Sequence, residues 1–138
     1  MTILAFTDGA SRGNPGDSGI GVILKDAHGA VLRSLSGYIG TTTNNAAEYT
    51  ALLACLKLAA NFNCEELIVH SDSELMVRQL NGQYKVRDQQ LKRYYEQAQS
   101  LLRSASFRTS FRHVPRSQNS EADALANEGI DQKLPPVV

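Results

Sequence analysis

The hydrophobic pattern of the chain changes its period near Asn45. Before this point, short apolar runs alternate with segments rich in glycine and turn-forming residues, as is typical of strands. After it, apolar side chains recur at helical spacing, at Tyr49, Leu52, Leu53, Leu56 and Ala60. This predicts an amphipathic helix over residues 45–61, packed with later helices against a sheet formed by the earlier strands.

The first third of the chain predicts three antiparallel strands. The apolar run over residues 3–7 ends at Asp8-Gly9, which indicates a buried strand followed by a turn, and residues 11–19 read as a glycine-rich loop. Residues 20–24 and 31–36 flank the turn-forming sequence Asp26-Ala27-His28-Gly29, which predicts a hairpin.

The rest of the chain predicts alternating strands and helices. We expect a strand over residues 65–71, helices over 74–81 and 88–104, an edge strand over 107–114 and a last helix over 120–130. The order is βββαβααβα, a mixed α/β domain with one sheet and flanking helices. The domain spans residues 1–131, and residues 132–138, with Pro135-Pro136, form a tail or the start of a linker.

Composition excludes several classes of protein. A length of 138 residues with 42% hydrophobic residues suits one domain with one core. The N-terminus lacks the basic region of a signal peptide, and no apolar run approaches the about 20 residues of a membrane span. We therefore expect a cytoplasmic protein with no membrane association.

The two cysteines, Cys55 and Cys64, give neither a metal-binding spacing nor a disulfide framework. We expect both to be buried and reduced. A bridge between them requires the chain to turn back after the helix, because the Cα atoms of a disulfide lie within about 7 Å.

The charges are segregated along a chain whose formal net charge is zero. From Arg78 to Arg116 the chain carries nine Lys or Arg residues and two acids, whereas the remainder is correspondingly acidic. A cationic region of this kind suits a nucleic-acid backbone. The alternative is a solvated helix surface whose charges balance across the fold.

Four acids lie where we expect strands to end or helices to begin: Asp8, Glu48, Asp72 and Asp123. If they converge, their mutual repulsion requires hard divalent cations, most commonly Mg²⁺, which prefers oxygen ligands. A paired-metal carboxylate site is suited to cutting phosphodiester bonds.

Three of these acids also have a structural interpretation. Glu48 and Asp123 each follow a candidate N-cap by three positions, as in a capping box, and Asp72 can cap the helix after it. Asp8 has no such role, because it follows an apolar strand where a buried charge is costly unless it is paired or metal-bound.

The surroundings of the acids are polar. Small residues follow Asp8, and Asp72 lies between Ser71 and Ser73. Residues 41–45 are hydroxyls and amides that suit a phosphate or a ribose hydroxyl at a helix N-terminus.

Four segments together resemble type 1 ribonuclease H. They are Phe-Thr-Asp-Gly-Ala-Ser-Arg-Gly-Asn-Pro-Gly (6–16), Thr-Asn-Asn-Ala-Ala-Glu (43–48), His-Ser-Asp-Ser (70–73) and Asn-Ser-Glu-Ala-Asp-Ala-Leu-Ala (119–126). Their order and spacing match over residues 1 to about 129. The resemblance implies a ribonuclease H-like fold, with a five-stranded mixed sheet of three antiparallel strands and two parallel ones, flanked by helices.

The resemblance also implies the chemistry. Similar enzymes hydrolyse the RNA strand of an RNA–DNA hybrid, leaving 5′-phosphate and 3′-hydroxyl ends, with two Mg²⁺ ions that assemble with substrate and with Mn²⁺ as a substitute. Asp8 would bridge the ions, and Asp123 would complete the ion that activates water. Glu48 and Asp72 would hold the ion that stabilises the leaving oxygen.

Predicted substrate contacts follow from the same resemblance. Asn14, Asn45 and Glu74 match positions at the minor groove or the RNA 2′-hydroxyls, and Thr43 matches a position that holds a DNA phosphate. The set of predicted contacts is completed by Asn44, Ser73, Arg116 and Asn119.

Two features depart from many bacterial members of the family. The connection over residues 81–87 is too short for their basic protrusion, so hybrid binding would depend on Lys92 and Arg93 or on a second domain. The loop before Asp123 has no histidine, and Arg116 is the expected substitute, acting on phosphate.

We expect a monomer, with a fused or associated second domain as an open possibility. The alternatives in function are another nuclease of the superfamily and a hybrid-binding module that does not cut.

Overall fold

The computed structural model describes all 138 residues. In chain order the elements are β1 (Thr2–Arg12), β2 (Gly16–Asp26), β3 (Val31–Thr42), α1 (Asn44–Ala59), β4 (Glu66–Ser71), α2 (Glu74–Leu80), α3 (Gln89–Ser104), β5 (Arg108–His113) and α4 (Ser120–Gln132). A 3₁₀ turn over Arg116–Gln118 precedes α4. The predicted order βββαβααβα is confirmed.

The five strands form one sheet in the order β3-β2-β1-β4-β5. Strands β1, β2 and β3 pair antiparallel, and β4 and β5 add in parallel beside β1. The hairpin turn between β2 and β3 is held by Asp26, whose Oδ1 accepts from the backbone N–H groups of His28 and Ala30, both at 2.9 Å. The predicted mixed sheet of three antiparallel and two parallel strands is confirmed.

All three N-terminal strands are longer than their hydrophobic patterns predicted. Strand β2 begins at Gly16, so the loop predicted over residues 11–19 is reduced to residues 13–15. The predicted turn at Asp8-Gly9 is wrong, because β1 continues to Arg12 and pairs with β2 as far as Asp17. Strand β3 likewise continues to Thr42. Main-chain hydrogen bonds hold this ribbon beyond the core, where glycine, serine and threonine carry no apolar alternation. Asp8 therefore lies inside a strand, opposite Gly21.

Helix α1 is buried over most of its circumference, and its predicted amphipathic character is wrong. It lies between one face of the sheet and α3, so that side chains pointing in nearly opposite directions, such as Leu56 and Leu58, are both buried. By contrast, α3 is amphipathic, with Leu91 and Ala98 buried.

Glycines let helices approach both faces of the sheet. A Cβ on Gly9 of β1 would lie 2.3 Å from the backbone carbon of Ala47 in α1. On the other face, a Cβ on Gly21 of β2 would lie 2.1 Å from the carbonyl oxygen of Ala122 in α4. These contacts bring the helices that carry Glu48 and Asp123 close to the strand that carries Asp8.

The C-terminal residues lie along β3. Tyr38 donates its backbone N–H to the Leu134 carbonyl at 2.8 Å, and Arg33 donates to the Val137 carbonyl at 2.9 Å. Pro136 packs over Gly37. The tail predicted over residues 132–138 thus contacts the edge of the sheet, while the boundary after residue 131 stays a prediction.

Both cysteines are free and buried, as predicted. None of the helices is long and apolar enough to cross a membrane.

Candidate active site

The four predicted acids line one open cleft of about 380 Å³. β1 supplies Asp8, α1 supplies Glu48, the turn between β4 and α2 supplies Asp72, and the first turn of α4 supplies Asp123. The remaining lining is almost entirely polar. Four segments that are remote in sequence therefore converge, as their motifs predicted.

Three of the acids form a compact group. Oxygen atoms of Asp8, Glu48 and Asp72 all lie within 4.8 Å of one another. Asp8 is 5% exposed and Glu48 is 7% exposed. None of the three forms a salt bridge, since the ion pairs of the chain lie elsewhere. The one polar contact from the backbone is the N–H of Gly9, which donates to Oε1 of Glu48.

Asp123 lies on the rim of the cleft and is exposed. It is outside the compact group of three, and Asn127 donates its side-chain amide to the Asp123 carboxylate at 3.3 Å. Its carboxyl is still close enough to Asp8 to raise the pKa of Asp8. Asp123 is therefore the most solvent-accessible of the four acids.

Burial dominates the electrostatics of this group. Desolvation raises the pKa of Asp8 far above its ordinary range, and the neighbouring Glu48 raises it further. Burial also raises the pKa of Glu48, although the Asp8 carboxyl and the Gly9 N–H oppose this shift. Without a cation, burial and the mutual repulsion of the two carboxylates therefore favour the protonated form of this pair.

The donor set suits a hard divalent cation. It consists of carboxylate oxygens that converge without a neutralising basic partner, which is costly unless a cation binds among them. Arg116 lines the same cleft and lowers the pKa of Glu48, but it forms no salt bridge with any of the acids. We conclude that the cluster can hold a divalent cation.

The capping interpretation of the acids is wrong. Thr43 caps α1, with its hydroxyl accepting from the Ala46 N–H at 3.2 Å, and the Ser73 hydroxyl caps α2. The N-cap of α4 makes no side-chain hydrogen bond to its helix. The carboxylates of Glu48 and Asp72 therefore make no capping hydrogen bond at a helix N-terminus.

Four predicted substrate contacts line the cleft beside the acids: Asn44, Asn45, Ser73 and Arg116. Asn14 lies next to this group, because its Oδ1 accepts from the Asn44 N–H at 3.0 Å. Thr43 adjoins Asn44, and its hydroxyl accepts the capping hydrogen bond from the Ala46 N–H of α1.

The other two predicted contacts lie outside the cleft lining. Glu74 is in the first turn of α2 and forms a surface ion pair with Arg78 at 3.2 Å. Asn119 is 1% exposed, so its side chain has no surface with which to contact a docked substrate. The structure thus places the Asn119 side chain in the protein interior and not at a surface where a substrate contact was predicted.

Gly9 is the site residue whose role the sequence reasoning missed. Its lack of a side chain admits the backbone of α1, and its N–H donates a hydrogen bond to Glu48. The sequence signal was present in the Asp8-Gly9 pair, but it was interpreted as a turn.

The two basic residues of α3 on which hybrid binding was predicted to depend are on the surface. Lys92 and Arg93 are exposed near its N-terminus. Lys92 also borders a hollow of about 400 Å³ with Tyr84 and Lys85, which belong to the short connection between α2 and α3.

The chain is similar to ribonucleases H in sequence. A family model described as reverse transcriptase-like matches residues 6–129. Ribonuclease HI of Halobacterium salinarum is 42% identical over 92% of this chain and 63% of that protein. Ribonuclease H of Halorhodospira halophila is 33% identical over 93% of this chain and 92% of that protein.

One further group of relatives is considerably longer. Bifunctional protein Rv2228c of Mycobacterium tuberculosis is 42% identical over 95% of this chain, which spans only 36% of that protein. The chain thus spans less than two thirds of several of the curated relatives it matches.

Solved structures agree with these relatives. RNase H1 of Halobacterium salinarum superposes with a TM-score of 0.90 at 41% identity, covering 96% of this chain and 99% of that one. LC11-RNase H1, solved in complex with RNA/DNA hybrid, gives 0.89 at 42% identity, covering 94% and 97%. With the sheet order, the four converging acids and these matches in agreement, the chain belongs to the ribonuclease H family.

Proposed function

We propose that the chain is the catalytic domain of an endoribonuclease that hydrolyses the RNA strand of RNA–DNA hybrids, leaving 5′-phosphate and 3′-hydroxyl ends. The observation that carries this proposal is the convergence of Asp8, Glu48, Asp72 and Asp123 in one polar cleft. The hybrid bound to the similar LC11-RNase H1 supports the same substrate here.

The four acids would hold Mg²⁺, as two ions when substrate is bound, with Mn²⁺ as a substitute. Metal ions bound in such a site supply a water of lowered pKa and stabilise the leaving oxygen. The chain's own contribution is to hold the carboxylates together: burial, the Gly9 N–H and close helix packing fix Asp8 and Glu48 before any ligand arrives.

Polar groups beside the acids would position the hybrid. The N-terminus of α1, where Asn44 and Asn45 lie, directs its positive dipole end toward the cleft. Asn14 is held to this terminus by its bond to Asn44, so it would move with α1 as one unit. Contacts from Asn14, Asn45 and Glu74 to the 2′-hydroxyls would distinguish RNA from DNA.

Arg116 would act on phosphate at the other side of the cleft. It lies in the 3₁₀ turn before α4 and lowers the pKa of Glu48 by its positive charge. A guanidinium can bind phosphate oxygens through two hydrogen bonds at once. It would therefore hold the scissile region of the backbone against the acids.

The wider organisation is part of the same proposal. We place the catalytic domain in residues 1–131 of a cytoplasmic monomer, with residues 132–138 leading to the C-terminus or to a linker. The greater length of several relatives supports a second domain, fused or associated.

A cleavage assay tests the function directly. Labelled RNA–DNA hybrid incubated with Mg²⁺ should yield RNA fragments with 5′-phosphate ends, while duplex DNA of the same sequence stays intact. Binding of hybrid without cleavage in either Mg²⁺ or Mn²⁺ would instead indicate a binding module. Cleavage of duplex DNA would indicate another nuclease of the superfamily.

A further inference from the structure

We propose that Asn119 is a positioning residue: its buried amide holds the strand that carries Asp8 and the helix that carries Asp123 in the register that metal binding needs. The kinetic part of this inference rests on the proposed ribonuclease function. Its metal-binding part does not.

The side chain of Asn119 ties α4 to β1. Its Nδ2 donates to the carbonyl oxygen of Thr7 at 2.9 Å, across 112 residues of sequence. Thr7 directly precedes Asp8, so this bond fixes the backbone of β1 one residue from the most buried acid. The side chain of Asn119 is 1% exposed, which shields the bond from competing water.

The backbone of Asn119 connects two further site residues. Its N–H donates to the carbonyl of Arg116 at 2.9 Å, which closes the 3₁₀ turn. Its carbonyl accepts from the N–H of Asp123 at 3.1 Å, which begins the hydrogen-bond ladder of α4. Asp8, Arg116 and Asp123 are therefore all placed through bonds to Asn119 or to its hydrogen-bonded neighbour.

The amide of Asn119 is used for nothing else. It stands at the N-cap of α4, where an asparagine side chain commonly bonds its own helix, yet no such bond is formed. Its Oδ1 has no hydrogen-bond partner in the protein. Turning the amide over would place Oδ1 against the Thr7 carbonyl, so the donor alone sets the orientation.

Removing this amide should shift the site without undocking the helix. Close packing of Gly21 against Ala122 holds α4 on the sheet independently. A local shift of Asp123 relative to Asp8 is then the main consequence, and displacements of about 1 Å can reduce rates roughly 100-fold.

The test uses Asn119→Leu, which has a similar size but no donor, and Asn119→Ser, whose hydroxyl is one bond short of the amide nitrogen. We expect kcat on a short hybrid to fall about 10–100-fold with KM within about threefold. Calorimetric titration of the metal-free protein with Mn²⁺ should show affinity reduced about fivefold or more. If Asn119→Leu does not fold, Asn119→Ser decides.

Gln79→Leu is the matched control. Gln79 is also a buried amide, 4% exposed, and its Oε1 accepts from the Tyr49 hydroxyl at 2.5 Å outside the cleft. Its loss should lower stability but leave kcat and Mn²⁺ affinity unchanged. Asn119 variants that are folded and keep both quantities within twofold of wild type would overturn the proposal. If the wild type itself cleaves no hybrid, the proposed function fails, and the Mn²⁺ titration still decides the role of Asn119.

Discussion

At the scale of single residues, the fold makes ionisation of Asp8 unfavourable. Burial raises the pKa of this carboxyl, so ionising it in the folded state costs more than in the unfolded chain. Between the unfolded pKa near 4 and the raised folded pKa, the folded state binds more protons than the unfolded state. The metal-free protein therefore loses stability as pH rises through this window.

Asp8→Asn should stabilise the metal-free protein while abolishing cleavage. The gain in unfolding free energy should be absent near pH 3, appear above about pH 4 and reach on the order of 2 kcal/mol at neutral pH. Denaturation in EDTA from pH 3 to 8 measures it. Glu96→Gln, at an exposed position of α3, is the control and should change little. A variant less stable than wild type at pH 7 would show that the Asp8 carboxylate is compensated.

Divalent cations should stabilise the wild type. A ligand that binds only the folded state raises the free energy of unfolding by RT ln(1 + [L]/Kd), about 2.7 kcal/mol at a hundredfold excess over Kd. Scanning calorimetry with and without Mg²⁺ or Mn²⁺ should show a higher Tm, and the increase should vanish in Asp8→Asn. An equal increase in both proteins would place the cation elsewhere.

At the scale of elements, the site depends on how closely α1 approaches β1. Gly9→Ala would place a methyl group 2.3 Å from the backbone carbon of Ala47, and neither backbone can yield as a flexible side chain would. We expect a loss of about 2–4 kcal/mol in unfolding free energy, as in strongly overpacked cores. The displaced helix should also reduce metal affinity, because Glu48 moves with it.

Gly29→Ala is the reference variant against which the stability loss of Gly9→Ala is compared. Gly29 has open space around it but a φ of +88°, so its loss reports backbone strain alone, about 1 kcal/mol. Denaturant titration of the two variants separates the effects. A Gly9→Ala variant as stable as Gly29→Ala would mean that α1 can move away from β1 at little cost in stability.

Sequence patterns predicted the elements better than their ends. The order of strands and helices followed from hydrophobic period, and the four acids followed from ordered motifs. The extension of β1 past Asp8 left no apolar signal, because paired backbone alone defines it. The burial of Asn119 was equally hidden, since asparagine in a polar loop is ordinarily exposed and only the tertiary bond to Thr7 covers it.

At the scale of the whole molecule, the segregated charges should govern hybrid binding. Lys92→Ala with Arg93→Ala should weaken binding in EDTA and reduce the slope of log K against log salt by roughly 2, if each residue neutralises one phosphate. Fluorescence anisotropy over a range of salt concentrations measures both. Lys57→Ala is the control, because Lys57 lies in the last turn of α1, far from the cleft at its first turn, and should leave the slope unchanged. An unchanged slope in the double variant would move the anchor elsewhere.

The two buried thiols, Cys55 and Cys64, can report transient openings of the folded protein. Cys55 is fully buried, and burial raises the pKa of its thiol to about 12, so almost no reactive thiolate exists while the core is closed. Cys64 is 5% exposed and lies just before β4. The rate of alkylation at Cys64 would therefore measure local fraying next to β4. The rate at Cys55 would measure rarer openings of the core around α1. Neither measurement requires a label engineered into the chain.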